Sequence, residues 1–547
     1  MTQSQMLKAS DLDQFIASQI PEIRGLENMD VFDYKPISTL PHKARLLSSI
    51  WSYRRKRKPN GDLIKHKARI CVDGSQQELG RDYWDTYAPV VSWSTVRLVL
   101  LLSTILNLKS RQVDYTQAFP QADLTDPVYM RLPQGWYISP QGTLEPHHDP
   151  KHNDTTHYIQ LKKNLYGCKQ AARNWFQHLD TGLKALGFRQ STTDPCLYLR
   201  KDCIMVVYTD DCLIFAPEDN TIDTLIASLS ELYKLEDQGD VHDYLGLRIE
   251  KDPTNKHLTM TQTGLIESII HDLNLANDSN TKNTPSDSIL YPDHHGAPCQ
   301  ESWNYRSVIG KLNYLAQNTR PDISYAVHQC ARFCTRPTAL HELAVKRIAR
   351  YLLLTKDRSL ILKPTRALTL DMYVDAVFAG MWHQEHSALR ENVLSRTGYI
   401  TTFCGCPIHW ASKLQSEIAL STTEAEYIAL SMATRELLPL RRILQEITQH
   451  SLVHLPLPTQ FSTTRSSTMQ ATQVYEDNAS CIVLAHSEGS KQRTKHISIK
   501  WHHFRDQIRN GNLKVVKIDT HSNWADILTK PLGPQKFTAL RKLIMHW

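Results

Sequence analysis

The stretch Tyr208-Thr209-Asp210-Asp211 sets two adjacent carboxylates between two apolar runs, Cys203-Ile-Met-Val-Val and Cys212-Leu-Ile-Phe-Ala. Short apolar runs on either side of a polar pair predict a tight hairpin with buried arms and an acidic tip. Two acids beside that much apolar surface are costly without a compensating cation. A pair of magnesium ions would compensate them, and carboxylate-held metal pairs commonly move phosphoryl groups. An ordinary Asp-rich turn fits the same four residues, so the other blocks of the chain decide between the two.

The 547 residues have room for roughly three or four domains at ~150 residues each. At 41% hydrophobic and 22% charged, the composition is that of a globular protein with sizeable cores. The formal charge is +7 and the pI about 8.7. Its distribution matters more than its sum: Arg54 to Arg69 holds eight Lys/Arg and one acid, Asp62. Such a cluster suits a polyanionic partner. A solvated charge run fits it too, as does a nuclear-localisation signal at Arg54-Arg55-Lys56-Arg57-Lys58. The eleven cysteines form no Cys-x-x-Cys pair, and Cys404 and Cys406 are too close for a usual zinc loop. Free thiols in a reducing compartment are expected. Lys8, Asp11 and Asp13 leave no apolar core for a signal peptide. The longest apolar stretch, Val96 to Leu108, contains Arg97 and is too short to span a bilayer. A soluble intracellular chain with no membrane partner is the expectation.

Along the chain, a short helix is expected near Leu12–Ser18 and a basic β-hairpin from Leu47 to Val72, turning at Pro59-Asn60-Gly61-Asp62. A helix is expected over Ser94–Asn107, then a strand ending at Gln112-Val113-Asp114. Asn164 to Leu186 reads as helical, with Trp175, Leu179, Leu183 and Leu186 on one face. Ala276 to Ser302 reads as an exposed polar connector. Three helices follow, Tyr305–Ala316, Ile323–Thr335 and His341–Leu354, broken by Pro321 and Pro337. From Leu368 the pattern turns to strands, then to a helix from about Glu424, with a Ser/Thr-rich insertion at 449–472. A domain boundary falls near 365.

Asp114 ends its strand and opens Asp114-Tyr-Thr-Gln-Ala-Phe119. A strand-end acid beside the Asp210 hairpin would complete a wall for two metals. Ahead of it stand Lys67-Ala-Arg69 and Asp82-Tyr-Trp-Asp-Thr-Tyr-Ala-Pro-Val90. Behind it stand Tyr129-Met-Arg-Leu-Pro-Gln-Gly-Trp136 and Leu161-Lys-Lys-Asn-Leu-Tyr-Gly-Cys-Lys-Gln-Ala-Ala-Arg-Asn-Trp175. In this order the blocks resemble the reverse transcriptase of copia-type LTR retrotransposons, over nearly the whole chain. The resemblance implies that Asp114 and Asp210 hold two Mg2+ ions (or Mn2+ in their place), with Asp211 the neighbouring carboxylate, pointing the other way if the turn keeps strand-like alternation. It implies that Lys67 and Arg69 meet an incoming dNTP. Phe119 would be the steric gate against a ribose 2′-hydroxyl, and Tyr166, Lys169 and Gln170 would line the substrate side at a helix start. Other readings stay open: Phe119 as a core aromatic, and Lys67 and Arg69 as decoration on a hairpin. Leu132-Pro-Gln-Gly-Trp136 is read as a structural turn. Cys168, Ala172 and Cys212 depart from the family's usual Leu, Pro and aliphatic residue, which bears on efficiency. Tyr244-Leu-Gly-Leu-Arg-Ile249 resembles the family's primer grip. Tyr305–Gly310, Arg320–Tyr325 and Arg350-Tyr-Leu resemble its later helices, which would clamp a duplex through phosphates.

A second acidic set stands at Tyr373-Val-Asp375, Ser421-Thr-Thr-Glu-Ala-Glu426-Tyr, Val474-Tyr-Glu-Asp477 and Trp524-Ala-Asp526-Ile-Leu-Thr-Lys-Pro531. Acids at strand ends and helix starts can converge although remote in sequence. These blocks resemble the family's ribonuclease H domain, whose metal site would be Asp375, Glu426, Asp477 and Asp526. Capping competes for each: Thr423 with Glu426 and Ser421 with Glu424 have capping-box spacing, and Asp477 stands where an N-cap would. Glu426 rather than Glu424 occupies the family's Ala-Glu-aromatic position, and Pro439 should kink the helix it begins.

The expected fold is a multidomain α+β and α/β chain: a right-hand polymerase followed by a ribonuclease H-like mixed-sheet domain. Its parts would be an N-terminal segment 1–45, fingers and palm 46–275, connector 276–302, thumb-like helices 303–364 and the nuclease-like domain 365–547. The implied activity is RNA-directed DNA synthesis with cleavage of the RNA strand, acting on RNA template, DNA primer and RNA–DNA hybrid in a cytoplasmic particle or the nucleus. A nucleic-acid-binding relic without catalysis, or a nuclease-only fragment, is the alternative. No zinc knuckle, Asp-Ser/Thr-Gly turn or integrase-like zinc block is found, so capsid and integrase functions would be supplied elsewhere.

Overall fold

The computed structural model describes residues 1–57, 63–254, 256–299, 302–365, 368–384, 390–450, 471–487 and 502–547. The turn expected at Pro59–Asp62, Lys58, and most of the insertion at 449–472 lie outside the described residues.

At the centre lies a six-stranded antiparallel sheet. Its strands run in the order Arg189–Gln190, Leu197–Arg200, Cys203–Tyr208, Asp211–Ala216, Lys109–Tyr115, Leu235–Asp237. The period-2 alternation of side chains explains why its strands read as unbroken apolar runs: both faces are buried. Ile204, Val206, Leu213 and Phe215 pack on the helix Trp93–Ile105. Met205, Val207, Cys212 and Ile214 pack on the helices Ala171–Ala185 and Asp219–Leu232 through Trp175, Leu179, Ile222 and Leu225. Residues Thr95 to Thr104 are buried on every side, so that helix shows no polar stripe.

The basic hairpin forms as expected, from Ser49–Arg57 and Leu63–Val72, with Arg54 opposite Lys67 and Ser52 opposite Arg69. Its apolar face is covered by an N-terminal helix that is longer than Leu12–Ser18, running from Leu12 to Asn28 through Pro21. Phe15, Ile23 and Leu26 enter one core with Trp51, Tyr53, Ala68 and Ile70, and that burial outweighs the hydrogen bond Pro21 removes. The helix expected from Asn164 begins only at Ala171. The preceding loop is clamped against the hairpin: a Cβ on Gly167 (φ +91°) would lie 2.0 Å from the Val72 carbonyl oxygen, and one on Gly74 2.1 Å from that of Gly167.

The connector has no helix among its described residues, yet Thr284 and Leu290 are buried against the helical region rather than exposed. Three helices follow, Tyr305–Asn318, Ser324–Ala331 and Ala339–Leu354. Two arginines of this region are not free to clamp a duplex. Arg320 is 1% exposed and pairs with Asp322 at 2.7 Å, and Arg350 donates to Asp278 at 2.8 Å.

Sheet membership changes between Leu362 and Leu370. Leu360–Leu362 pairs with Leu258–Thr261, whereas Leu370–Val377 begins a five-stranded mixed sheet. Its order is Cys406–Leu414, Arg396–Phe403, Leu370–Val377, Thr472–Glu476, Leu513–Lys517; the first three are antiparallel and the last two join in parallel. The helix Thr422–His450 crosses this sheet and is assigned continuously through Pro439. The architecture is therefore an α+β body around the six-stranded sheet, followed by a five-stranded mixed sheet with its own long helix. Among the described residues no helix is long and apolar enough to cross a membrane.

Candidate active sites

The two strands of the acidic hairpin pair Tyr208 with Asp211, leaving Thr209 and Asp210 as a two-residue turn. Thr209 has φ +55°, a strained setting for a β-branched residue. The turn is held by the Trp175 indole N–H, which donates to the Thr209 carbonyl at 2.7 Å, and by the Tyr115 N–H to the Asp210 carbonyl at 2.8 Å.

The register then sets a row of carboxylates. Asp211 stands opposite Asp114 on one side, and Glu236 stands opposite Asp114 on the other. Directly opposed residues project from the same face. Asp211 therefore shares the face of Asp114 instead of turning away, because the turn breaks the alternation expected between Asp210 and Asp211. Glu236 had no sequence signal; only the strand pairing brings it here. Burial raises the Asp114 pKa, followed by the nearby charges of Asp210 and Glu236. Asp211 is pushed to about 6 by burial, then by Asp210 and Asp114. Lys56 and Lys67 of the basic hairpin oppose these shifts at Asp114, so the fingers carry positive charge toward the row.

Lys67 and Arg69 lie two residues apart on one strand. Burial lowers the Lys67 pKa, helped by Arg69 and resisted by Glu22. Glu22, on the N-terminal helix, is 8% exposed, and one of its oxygens has no hydrogen-bond partner. Burial lifts its pKa to about 7 against Lys67, an Ile70 N–H and Arg69. The Arg69 guanidinium lies over the Tyr166 ring at 4.6 Å, and Tyr166 meets Phe119 at 5.4 Å between centroids. Phe119 is half-buried, touching both the fingers core and the palm core. Lys169 and Gln170 are engaged away from the acids. Lys169 lies over Tyr83 at 5.2 Å, and the Gln170 side chain accepts from Gln77 at 3.1 Å and donates to the Asp82 carbonyl at 3.2 Å.

In the mixed sheet, Asp375 lies on the central strand, Glu426 just past the first turn of the long helix, and Asp477 just past Thr472–Glu476. Each offers an oxygen within 4.8 Å of the others, and this is the only such group of three acids, histidines or cysteines among the described residues. Capping does not account for it. The Ser421 hydroxyl accepts from the Glu424 N–H at 3.1 Å, and the Glu424 carboxylate accepts from the Leu420 N–H at 2.8 Å, which leaves Glu426 free of that duty. The N-cap after Asp477 is Asn478, whose side chain accepts from the Cys481 N–H at 2.9 Å. Burial raises the Asp375 pKa to about 7 against Lys530, and burial then Glu476 raises that of Glu426. One Glu426 oxygen is buried without a partner. Oxygen-only donors with an orphaned carboxylate oxygen fit a hard divalent cation such as Mg2+ or Mn2+.

Asp526 does not join this group. It is fully buried between Lys530, at 2.6 Å, and Lys536. Lys530 also reaches Asp375 at 3.5 Å, and the Thr529 hydroxyl donates to Asp375. The sequence reading named neither Lys530 nor Thr529, although both lie in the block that supplied Asp526. Glu476, fully buried behind Asp477, is a further acid beside the group.

Residues 33–288 match the family described as reverse transcriptase (RNA-dependent DNA polymerase). The chain is 32% identical to the retrovirus-related Pol polyprotein from transposon TNT 1-94 of Nicotiana tabacum, over 99% of this chain and 38% of that protein. It is 32% identical to the corresponding polyprotein from transposon RE1 of Arabidopsis thaliana, over 91% of this chain and 31% of that one. It therefore spans about a third of the length of these relatives. A solved foamy viral protease-reverse transcriptase in complex with double-stranded DNA aligns with 91% of this chain and 69% of its own, at 11% identity and a TM-score of 0.45.

Proposed function

Because the chain belongs to the retrovirus-related Pol polyproteins of transposons, we propose that it is an RNA-directed DNA polymerase that also cleaves the RNA strand of an RNA–DNA hybrid. The observation that carries the polymerase reading is the carboxylate row Asp211–Asp114–Glu236, with Asp210 at its tip, facing the lysines of the basic hairpin. So much like charge on one face is unfavourable by itself and suits a cation-dependent phosphoryl transfer.

In this reading Asp114 and Asp210 hold two Mg2+ ions, which would activate a primer 3′-hydroxyl and stabilise the charge leaving on pyrophosphate. Lys67 and Arg69 bind the triphosphate oxygens of the dNTP, Arg69 being steadied by its stack on Tyr166. Phe119, braced by Tyr166, limits the space beside the sugar and so selects deoxyribose. Asp375, Glu426 and Asp477 hold the ions of the nuclease site, with Asp526 completing the set once Lys530 and Lys536 release it. RNA template, DNA primer and dNTPs are the partners. Residues 46–275 are assigned as fingers and palm, 276–302 as the connector, 303–364 as thumb and 365–547 as the nuclease domain. The working compartment is a cytoplasmic particle, with the other particle proteins supplied separately.

Primer extension on poly(rA)/oligo(dT) with Mg2+ tests the reading. Wild type extends the primer and Asp210→Asn does not. Absence of extension by wild type, with hybrid cleavage intact, would instead leave a nuclease alone.

A further inference from the structure

The helix Trp93–Ile105, the helical region and the strand Cys406–Leu414 meet around a cavity of about 480 Å3. Four basic side chains from three elements line it: Arg97, His328, and His409 with Lys413 of one strand, and no aspartate or glutamate does. Arg97 is 2% exposed. Its Nε donates to the Ile408 carbonyl at 2.8 Å, its Nη1 to the carbonyls of Gln317 and Asn318 at 3.1 and 3.2 Å, and its guanidinium covers the Trp410 ring at 4.2 Å. These contacts satisfy N–H groups without supplying negative charge. A buried guanidinium lacking a carboxylate is costly, and burial pushes its pKa down to about 9.

The His328 imidazole reinforces the same polarity. Arg396 donates to His328 Nδ1 at 2.9 Å, so the neutral ring carries its proton on Nε2 as a donor. Burial and neighbouring cations hold both His328 and His409 neutral, with pKa values near 3. Among the described residues, the acid in ion-pairing range of these four is Glu436, 3.9 Å from His409 Nε2 and outside the cavity lining. At the nearby helix N-terminus the Ser92 hydroxyl accepts from the Thr95 N–H at 3.1 Å, and Asp194 accepts from the Ser92 N–H at 3.1 Å and the Thr95 hydroxyl at 2.6 Å. The side chains, not the helix end, make the cavity an anion receptor.

We propose that this junction cavity binds a phosphate group, with Arg97 and Lys413 as its charged donors and the His328 imidazole as a neutral one. The tetrahedral oxygens of phosphate suit donors converging from several directions. The group can come from a nucleic-acid backbone crossing between the two acidic sites or from a free phosphate species. The inference does not depend on either site being active.

The test uses the full chain with chelator, so that no catalysis contributes. Inorganic phosphate is titrated at constant ionic strength while the thermal midpoint is followed. Binding of a short RNA–DNA hybrid is measured across a salt series. Lys413→Gln, on an exposed side chain, preserves the fold, and Arg97→Gln removes the buried charge. Wild type should bind one of the two probes about tenfold more tightly than Lys413→Gln, the size of one charge-assisted hydrogen bond. If the backbone is the source, the slope of log K against log salt falls by ~1 in either variant. If a free species is the source, phosphate raises the wild-type midpoint, Lys413→Gln loses that rise, and the hybrid slope stays put. Equal phosphate response and equal salt slope in wild type and both variants overturns the proposal, whatever the polymerase assay shows.

Discussion

Asp211 stands directly across the antiparallel ladder from Asp114, and Glu236 occupies the matching position on Asp114's other flank. Three acids in a line across adjacent strands repel one another, and the half-buried setting strengthens the repulsion. Asp114→Asn and Asp210→Asn should each cut primer extension by several orders of magnitude, since bound metal contributes several kcal/mol to the transition state. Hybrid cleavage should persist, and the metal-free thermal midpoint should hold or rise. Synthesis surviving in Asp210→Asn would remove the assignment.

Glu424 and Glu426 are two residues apart and have separate duties. Glu424 closes the helix start through Leu420, so Glu424→Gln should cost up to ~1 kcal/mol of stability and leave cleavage largely intact. Glu426 faces Asp375 and Asp477, so Glu426→Gln should abolish cleavage with little loss of stability. Measuring hybrid cleavage and thermal midpoint on both variants decides the register. The opposite pattern would move the ligand to Glu424.

The palm hairpin was legible because strands buried on both faces read as unbroken apolar runs around a polar pair. The long helices were legible in type, and their starts less so. The first helix runs past Ser18 and the second starts later than Asn164 for one reason: tertiary packing decided both. Ile23 and Leu26 carry the first helix past its proline, and the close approach of Gly167 to Val72 holds the second back to Ala171. Glu236, Glu22 and Lys530 carry no local signature, because their importance arises from strand pairing and helix docking between remote segments. Asp526 was named as one of four ligands, but two lysines near it in sequence occupy its carboxylate.

Phe119 joins the fingers and palm cores and is half-buried, so truncating it should cost less than the 3–5 kcal/mol typical of a fully buried phenylalanine. Phe119→Ala should remain folded and incorporate rNTPs much more readily, with dNTP incorporation only moderately reduced. Competitive extension with matched rNTP and dNTP measures this. Unchanged selectivity in a folded variant would return Phe119 to a purely structural role.

Glu22 gives a pH signature confined to the fingers. Its folded pKa of about 7 lies above its ordinary value of 4.5, so the folded state holds the proton more tightly than the unfolded chain does. Stability from this group is therefore fully present below about pH 4.5 and is lost as pH rises through 7. Glu22→Gln removes the ionisation while keeping an acceptor for the Ile70 N–H. It should stabilise the protein at pH 8 by up to about 3 kcal/mol, at ~1.4 kcal/mol per pKa unit, and by under about 1 kcal/mol at pH 5. Urea unfolding of both proteins at the two pH values reads the difference. Removing the charge also takes away a carboxylate of the N-terminal helix that acts on Lys67 and Arg69, so KM for dNTP should shift at pH 8 more than kcat. A Glu22→Gln variant equally destabilised at both pH values would mean that the side chain acts by packing and not by its proton.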